Sequence, residues 1–168
     1  MVRTAALAAV FLLLLAAAAG GQTGTTIVAG QSVAGVRIGS DVREAISALG
    51  NLFDREDSAS GKFTLYDWPL KPVLVIAEKE SGRVVLISIS FSDQFRTDKG
   101  ISGGSERQAV EAAYGREFET SEGQAMTRII YDAQGIAFFV GRSGIMNGRV
   151  LQILVFTPGQ WKSITEGL

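Results

Sequence analysis

Two short stretches of this sequence carry apolar residues at helical spacing. The apolar positions recur every three or four residues, at Val42, Ile46 and Leu49 in the first stretch and at Ala109, Val110, Ala113 and Tyr114 in the second. Ser40 and Ser105 precede the stretches and are suited to cap a helix, whereas Gly50 and Gly115 follow them and are suited to end one. We therefore predict two helices of about three turns, each with one buried face.

Three runs of strand-like residues follow each predicted helix. Residues 87–92 alternate strictly between apolar and polar side chains, which is typical of a strand with one face in the core and one in solvent. The predicted strands are 63–68, 73–78 and 84–92 after the first helix, and 127–132, 136–140 and 149–156 after the second. Residues 54–61 are predicted to be a loop, and residues 26–29 an added edge strand.

The two groups of elements resemble each other in sequence. Residues 35–50 align with residues 100–115 at an offset of 65, and a Tyr–Asp pair recurs at the same offset as Tyr66–Asp67 and Tyr131–Asp132. At an offset of 66, the segment from Gly82 matches the segment from Gly148. An internal repeat of this kind indicates an architecture built from two copies of one unit.

The predicted fold is therefore α+β, with two tandem helix–three-strand repeats that form one antiparallel sheet and helices packed on one face. We divide the chain into a signal peptide (1–21), a lead-in with the first repeat (22–97), and the second repeat with a C-terminal tail (98–168).

The N-terminus has the features of a secretory signal peptide. Arg3 supplies a positive charge, residues 5–19 are uniformly apolar, and small residues follow. At about 1.5 Å per residue, this apolar run is too short to cross a hydrocarbon core of about 30 Å. We expect cleavage between Ala19 and Gln22 and a secreted or periplasmic protein that is not inserted in the membrane.

The composition excludes several classes of function. The chain has no Cys and no His, which rules out Ser–His–Asp and Cys–His catalysis and ordinary zinc sites. A bacterial lipoprotein carries its lipid on an N-terminal Cys, so we expect a protein that is not lipid-anchored. The formal net charge is −1 with charges interspersed, so no basic surface is expected for nucleic acid. The sequence predicts neither a cofactor nor a metal site.

The repeated Gly–apolar–x–x–Gly–Ser motif at Gly35 and Gly100, with its short helix and three strands, resembles a known group of folds. It is similar to the tandem-repeat fold of the secreted β-lactamase inhibitor protein and to small lipoproteins that assist outer-membrane barrel assembly. The resemblance covers about residues 35–157. It implies helices packed on one sheet face and an open sheet face turned toward a protein partner.

Aromatic and apolar strand residues are the candidates for that partner surface, namely Tyr66, Trp68, Tyr131, Leu154 and Phe156. Leu154 and Phe156 replace Ser88 and Ser90 of the first repeat, so they either form an exposed apolar patch or lie under the C-terminal tail beneath Trp161. We predict a non-enzymatic module that binds a protein partner. The alternatives are an envelope hydrolase with a carboxylate pair, Asp67 and Asp132, and a structural accessory of envelope assembly.

Overall fold

The computed structural model describes residues 25–168, and the predicted signal peptide lies outside them. Within the described residues the chain forms twelve strands and three α-helices. In chain order these are β1 (Thr26–Val28), β2 (Ser32–Val33), β3 (Val36–Arg37), α1 (Val42–Leu49), β4 (Asp54–Asp57), β5 (Phe63–Trp68), β6 (Val73–Glu78), β7 (Val84–Ser90), β8 (Arg96–Thr97), α2 (Arg107–Tyr114), β9 (Glu119–Glu122), β10 (Met126–Tyr131), β11 (Ile136–Gly141), β12 (Val150–Phe156) and α3 (Trp161–Thr165). No helix among residues 25–168 combines the length and apolar character needed to cross a bilayer.

One large sheet dominates the fold. Its eight strands run in the order β4-β5-β6-β7-β12-β11-β10-β9, and every neighbouring pair is antiparallel. Strands β4 to β7, which follow α1, are contiguous in this sheet, and so are β9 to β12, which follow α2. The two groups meet at the centre, where β7 pairs with β12. This arrangement confirms the predicted α+β class and the antiparallel sheet. The order β3-β2-β1-β8 forms a second, small sheet, in which β1 and β8 run parallel.

α1 and α2 pack on the same face of the large sheet, which we call the inner face. The helices contribute Val42, Ala45 and Leu49 from α1 and Val110 and Tyr114 from α2 to one buried cluster with the inward side chains of the strands. This cluster also includes Ile27 and Val33 of the small sheet. Burial of these apolar side chains, at about 25 cal/mol per Å², is the main force that holds the two layers together.

The strands β4 and β9 lie where the sequence predicted no strand. Residues 54–61 were expected to form a loop, but Asp54–Asp57 pairs with β5, and Glu119–Glu122 pairs with β10. All residues of both strands are exposed. These strands could not be predicted from apolar periodicity, because an edge strand whose residues are all in solvent has no apolar face.

The N-caps of α1 and α2 each lie one residue after the predicted serine caps, Ser40 and Ser105. The N-cap of α1 is Asp41, whose carboxylate accepts a hydrogen bond of 2.9 Å from the N–H of Arg43. Glu106 occupies the same place in α2 without a side-chain cap. The hydroxyl of Ser105 instead accepts from the N–H of Ser102 at 3.0 Å, inside the preceding turn.

Matching hydrogen bonds connect each helix start to its own sheet. Gly39 N–H donates to Val84 at 2.7 Å in the first half, and Gly104 N–H donates to Val150 at 2.8 Å in the second. The guanidinium groups at the corresponding turns also donate to these glycine carbonyls, from Arg83 at 2.8 Å and from Arg149 at 2.9 Å. Each helix is thus held to the last strand of its group in the same way.

Candidate functional site

The candidate site lies on the sheet face opposite α1 and α2, which we call the outer face. The strand register places one row of outward side chains across all eight strands, and the row reads Asp54, Asp67, Leu74, Ser88, Leu154, Ala137, Ile130 and Glu119. A neighbouring row runs from Glu56 through Leu65, Ile76 and Leu86 to Phe156. The centre of this face is apolar and its two edges are acidic.

A C-terminal segment (157–168), which contains α3, covers part of the outer face. The ring of Trp161 lies 5.1 Å from that of Phe156 and 6.3 Å from that of Phe139, measured between centroids. Ile164 joins the buried cluster on this face, and Gly167 lies against the ring of Phe63. A third helix on the outer face was not predicted.

Hydrogen bonds hold both ends of the C-terminal segment. At its start, a side-chain oxygen of Asp132 accepts from the N–H of Trp161 at 3.0 Å, and the carbonyl of Asp132 accepts from Gly159 at 2.9 Å. At its end, the carbonyl of Leu168 accepts from Ala59 at 3.2 Å, and that of Gly167 accepts from the hydroxyl of Ser60. The segment therefore crosses the sheet from the β10–β11 turn to the β4–β5 turn.

The five residues predicted to bind a partner are all buried, and they divide between the two faces. Tyr66, Trp68 and Tyr131 belong to the inner cluster, under α1 and α2. Leu154 and Phe156 belong to the outer cluster and are 7% and 0% exposed. Of the two alternatives for Leu154 and Phe156, the structure has the second, because Trp161 lies over Phe156 and the C-terminal segment covers this part of the sheet.

The outer face remains open beyond the C-terminal segment. Leu65 and Leu74 are partly exposed there, and Ser90 is exposed at the end of β7. Ser88 is buried, and its hydroxyl accepts a hydrogen bond of 2.6 Å from the side-chain amide of Gln152 on β12. We call the surface formed by Leu65, Asp67, Leu74, Ser90 and Gln152 the uncovered patch.

A groove deepens the uncovered patch where it meets β4. Its volume is about 300 Å³, and it is lined by Asp54, Arg55, Glu56, Leu65, Asp67 and Leu74. Leu65 and Leu74 supply the apolar lining, and three carboxylates surround them. The groove was not predicted, although the charged residues at 54 and 56 already share the period of two that places strand residues on one face.

The carboxylates of the groove form no ion pair with another residue of 25–168, although Arg55 lines the same groove. The ion pairs of the described chain do not include Asp54, Glu56 or Asp67. By contrast, Asp57 on the inner side of β4 accepts hydrogen bonds from Lys79 at 2.7 Å and from Thr64 at 2.9 Å. These two bonds, with that of Lys79 the stronger, lower the pKa of Asp57 below its usual value.

The structure places the two aspartates of the alternative hydrolase hypothesis far apart. Asp67 lies on β5 and Asp132 follows β10, with four strands of the sheet between them. Five inter-strand steps of about 4.8 Å correspond to about 24 Å along the sheet, whereas a glycosidase-type pair needs about 5–9.5 Å. The carboxylate of Asp132 is also engaged by the N–H of Trp161. This arrangement does not favour a shared catalytic role for the two residues.

Comparison with known proteins identifies the fold. No protein-family model and no curated protein matches the sequence. The structure is similar to that of the uncharacterised protein yfeY from Escherichia coli, with a TM-score of 0.53 and 11% identity over 80% of this chain and 99% of the other. It is also similar to an extracellular protein containing an SCP domain from Bacillus anthracis, with a TM-score of 0.52 and 9% identity over 73% of this chain. This chain spans 45% of the length of that second protein. At these identities the similarity shows the fold and leaves the function open.

Proposed function

We propose that this protein is an exported, non-enzymatic binding module that holds a protein partner on the uncovered patch of its outer sheet face. The observation that carries this proposal is the partial cover of that face. The C-terminal segment packs on Phe63, Phe139 and Phe156 at one side, yet Leu65 and Leu74 remain partly exposed in a groove at the other. A fold that can cover an apolar sheet face but leaves part of it accessible has a surface suited to binding.

The chemistry of the uncovered patch suits a protein partner. Partly buried leucines at the centre provide apolar contact area, and the hydroxyl of Ser90, the amide of Gln152 and the carboxylate of Asp67 surround them with hydrogen-bonding groups. Protein interfaces commonly have this arrangement of an apolar centre and a polar rim. The four neighbouring antiparallel strands β5, β6, β7 and β12 give the patch a rigid base, so little ordering entropy is lost on binding.

Export rests on the N-terminal sequence, with its single positive charge, short apolar run and small residues. The absence of Cys is compatible with folding in an oxidising compartment, because the core is apolar and needs no disulfide.

We further interpret the two halves as copies of one helix–sheet unit, in the manner of the tandem β-lactamase inhibitor fold. The matched bonds of Gly39 with Val84 and of Gly104 with Val150 support this interpretation. So does the strand order, in which each half contributes four contiguous strands that meet at β7 and β12.

The test is affinity capture with the chain that lacks its signal peptide, from secreted and envelope fractions. Leu74→Glu alters the uncovered patch at a partly exposed position, so the fold should be retained. Ile145→Glu is the matched control, since Ile145 is 92% exposed and lies in the β11–β12 connection. We expect a captured protein that Leu74→Glu loses and Ile145→Glu retains. Capture that is unchanged in Leu74→Glu would exclude this surface.

A further inference from the structure

We propose that the partner adds an extended strand to the outer edge of β4, and that cationic side chains at alternate positions of this strand pair with Asp54 and Glu56. This inference rests on the proposed function and names the chemistry of the segment that the groove accepts. The segment runs along β4, and its cationic side chains extend across β4 toward Leu65 on β5.

β4 offers an open edge. It is the terminal strand of the eight-stranded sheet, pairs with β5 on one side only, and has four exposed residues. No other strand of residues 25–168 lies along its second side. The backbone N–H and C=O groups on that side are therefore available to an added strand, and main-chain bonds of this kind supply affinity in strand-addition complexes.

The charges on β4 point to a cationic segment. Asp54 lies directly opposite Asp67 in the β4–β5 register, and like charges in that position destabilise a sheet. Glu56 lies two residues further along the same face, next to Leu65. A lysine or arginine placed beside each carboxylate would replace this repulsion with opposite-charge pairs.

The two inner-side residues of β4 already have contacts within the described chain, although Arg55 also lines the groove. The guanidinium of Arg55 lies 5.7 Å from the centre of the Tyr66 ring, and Asp57 is bonded to Lys79 and Thr64. The free carboxylates thus alternate along the strand with engaged side chains. An added strand would meet them with every second residue, because side chains of a strand alternate between faces.

The groove suits the stems of such side chains. Two leucines line this groove of about 300 Å³, and Leu65 on β5 is the one within reach of an added strand, two inter-strand steps of about 4.8 Å away. Lys and Arg pack their methylene groups on apolar surface while their charged ends reach a carboxylate. An acidic side chain in this place would face three carboxylates and a single cation, Arg55, so the site favours a cationic side chain.

The opposite edge of the sheet provides a control. β9 is also terminal and exposed, but only Glu119 carries a charge on its outer face, where Ser121 follows it. Glu122 is on the other face and forms an ion pair of 3.2 Å with Arg142. A strand with alternate cations therefore fits β4 and not β9. The rival explanation is that the charges on β4 serve only to prevent edge-to-edge aggregation.

The experiment uses the chain without its signal peptide, labelled with ¹⁵N, and a seven-residue peptide that alternates Lys and Thr. Two comparison peptides have the same composition with the lysines consecutive, or Glu in place of Lys. We expect the alternating Lys peptide to shift the amide signals of residues 54–57 and to bind at least tenfold more tightly than either comparison peptide. Glu56→Lys should weaken this binding at least tenfold, and Glu119→Lys, which changes the net charge equally, less than twofold.

Three results would overturn the strand-addition proposal: equal binding of the peptide with consecutive lysines, equal weakening by Glu56→Lys and Glu119→Lys, or no shift at residues 54–57. The first two mean general electrostatic attraction, and the third means that the charges only protect the edge. These failures are separate from failure of the proposed function. If the peptide does not bind but Leu74→Glu still abolishes capture, the patch binds a partner of another kind.

Discussion

The hydroxyl of Tyr131 donates a hydrogen bond of 2.8 Å to the carbonyl of Gly115, the residue that ends α2. In the other half, the indole N–H of Trp68 donates to the carbonyl of Gly50 at 2.8 Å, at the end of α1. Both donors stand on sheet strands and both acceptors are helix-end carbonyls, which lack a partner inside the helix. Each helix is therefore fixed to the inner face by an aromatic donor.

Tyr131→Phe should lower the free energy of unfolding by about 1 kcal/mol, because the carbonyl of Gly115 loses its partner while the ring remains in place. The measurement is urea unfolding followed by tryptophan fluorescence. Tyr66→Phe is the control, since the hydroxyl of Tyr66 makes no hydrogen bond within residues 25–168. Equal effects of the two substitutions would contradict a specific role for the Tyr131 hydroxyl.

Tyr114→Phe should leave the free energy of unfolding unchanged or raise it, in contrast to Tyr131→Phe. The hydroxyl of Tyr114 is buried and forms no hydrogen bond of normal geometry among the described residues. Burial raises the pKa of Tyr114 to about 12, and the neighbouring Thr97 side chain offsets only part of this rise. Removal of an unsatisfied buried hydroxyl eliminates a desolvation penalty of about 1–3 kcal/mol, so the variant should be at least as stable as the wild type. The same urea titration measures it. A loss of 1 kcal/mol or more would mean that the hydroxyl has a partner.

Sequence patterns predicted the inner face well and the outer face poorly. Strands Phe63–Trp68 and Val73–Glu78 have the predicted bounds, because their buried residues are numerous and their turns are polar. α3 was missed because Trp161–Thr165 is too short to show helical spacing, and its position depends on contacts with Phe139 and Phe156 that are distant in sequence. Aromatic residues of a core and aromatic residues of an interface give the same sequence pattern. For this reason the residues predicted to bind a partner are ones that the structure places in the core.

The stability of the fold at low pH should depend on Asp41, the N-cap of α1. The side chain of Arg43, followed by its backbone N–H, donates to Asp41 and lowers the pKa of this carboxyl to about 2. Because the pKa in the folded state is below the value of the unfolded chain, the contribution of Asp41 is complete above about pH 4 and is lost as the pH falls toward 2. Asp41→Asn keeps a capping oxygen but does not titrate. We expect a smaller decrease in unfolding free energy between pH 4 and pH 2 in this variant, and identical slopes would contradict the assignment.

The C-terminal segment should stabilise the fold by its cover of the outer face. Trp161→Ala removes the ring that contacts Phe139 and Phe156, so we expect a loss of at least about 2 kcal/mol together with increased binding of an apolar fluorescent dye. Lys162→Ala changes an exposed residue of the same helix and should cost less than about 0.5 kcal/mol. Unchanged dye binding in Trp161→Ala would show that the segment does not protect the apolar surface.

Equivalent glycines offer a test of the proposed duplication. Gly39 and Gly104 have φ values of +80° and +82°, in the left-handed region that favours glycine. A methyl group at Gly39 would meet no atom within 4 Å, and at Gly104 its nearest neighbours are ring atoms of Phe91 at 3.7 Å, an ordinary contact. The cost of Gly39→Ala and of Gly104→Ala is therefore one of backbone conformation alone, about 1–2 kcal/mol in each case.

Asn tolerates this conformation better, so Gly39→Asn and Gly104→Asn should recover part of the loss at both positions. If the halves are copies of one unit, the two alanine variants should agree within about 0.5 kcal/mol in thermal and urea unfolding, and a large cost at one position only would contradict it.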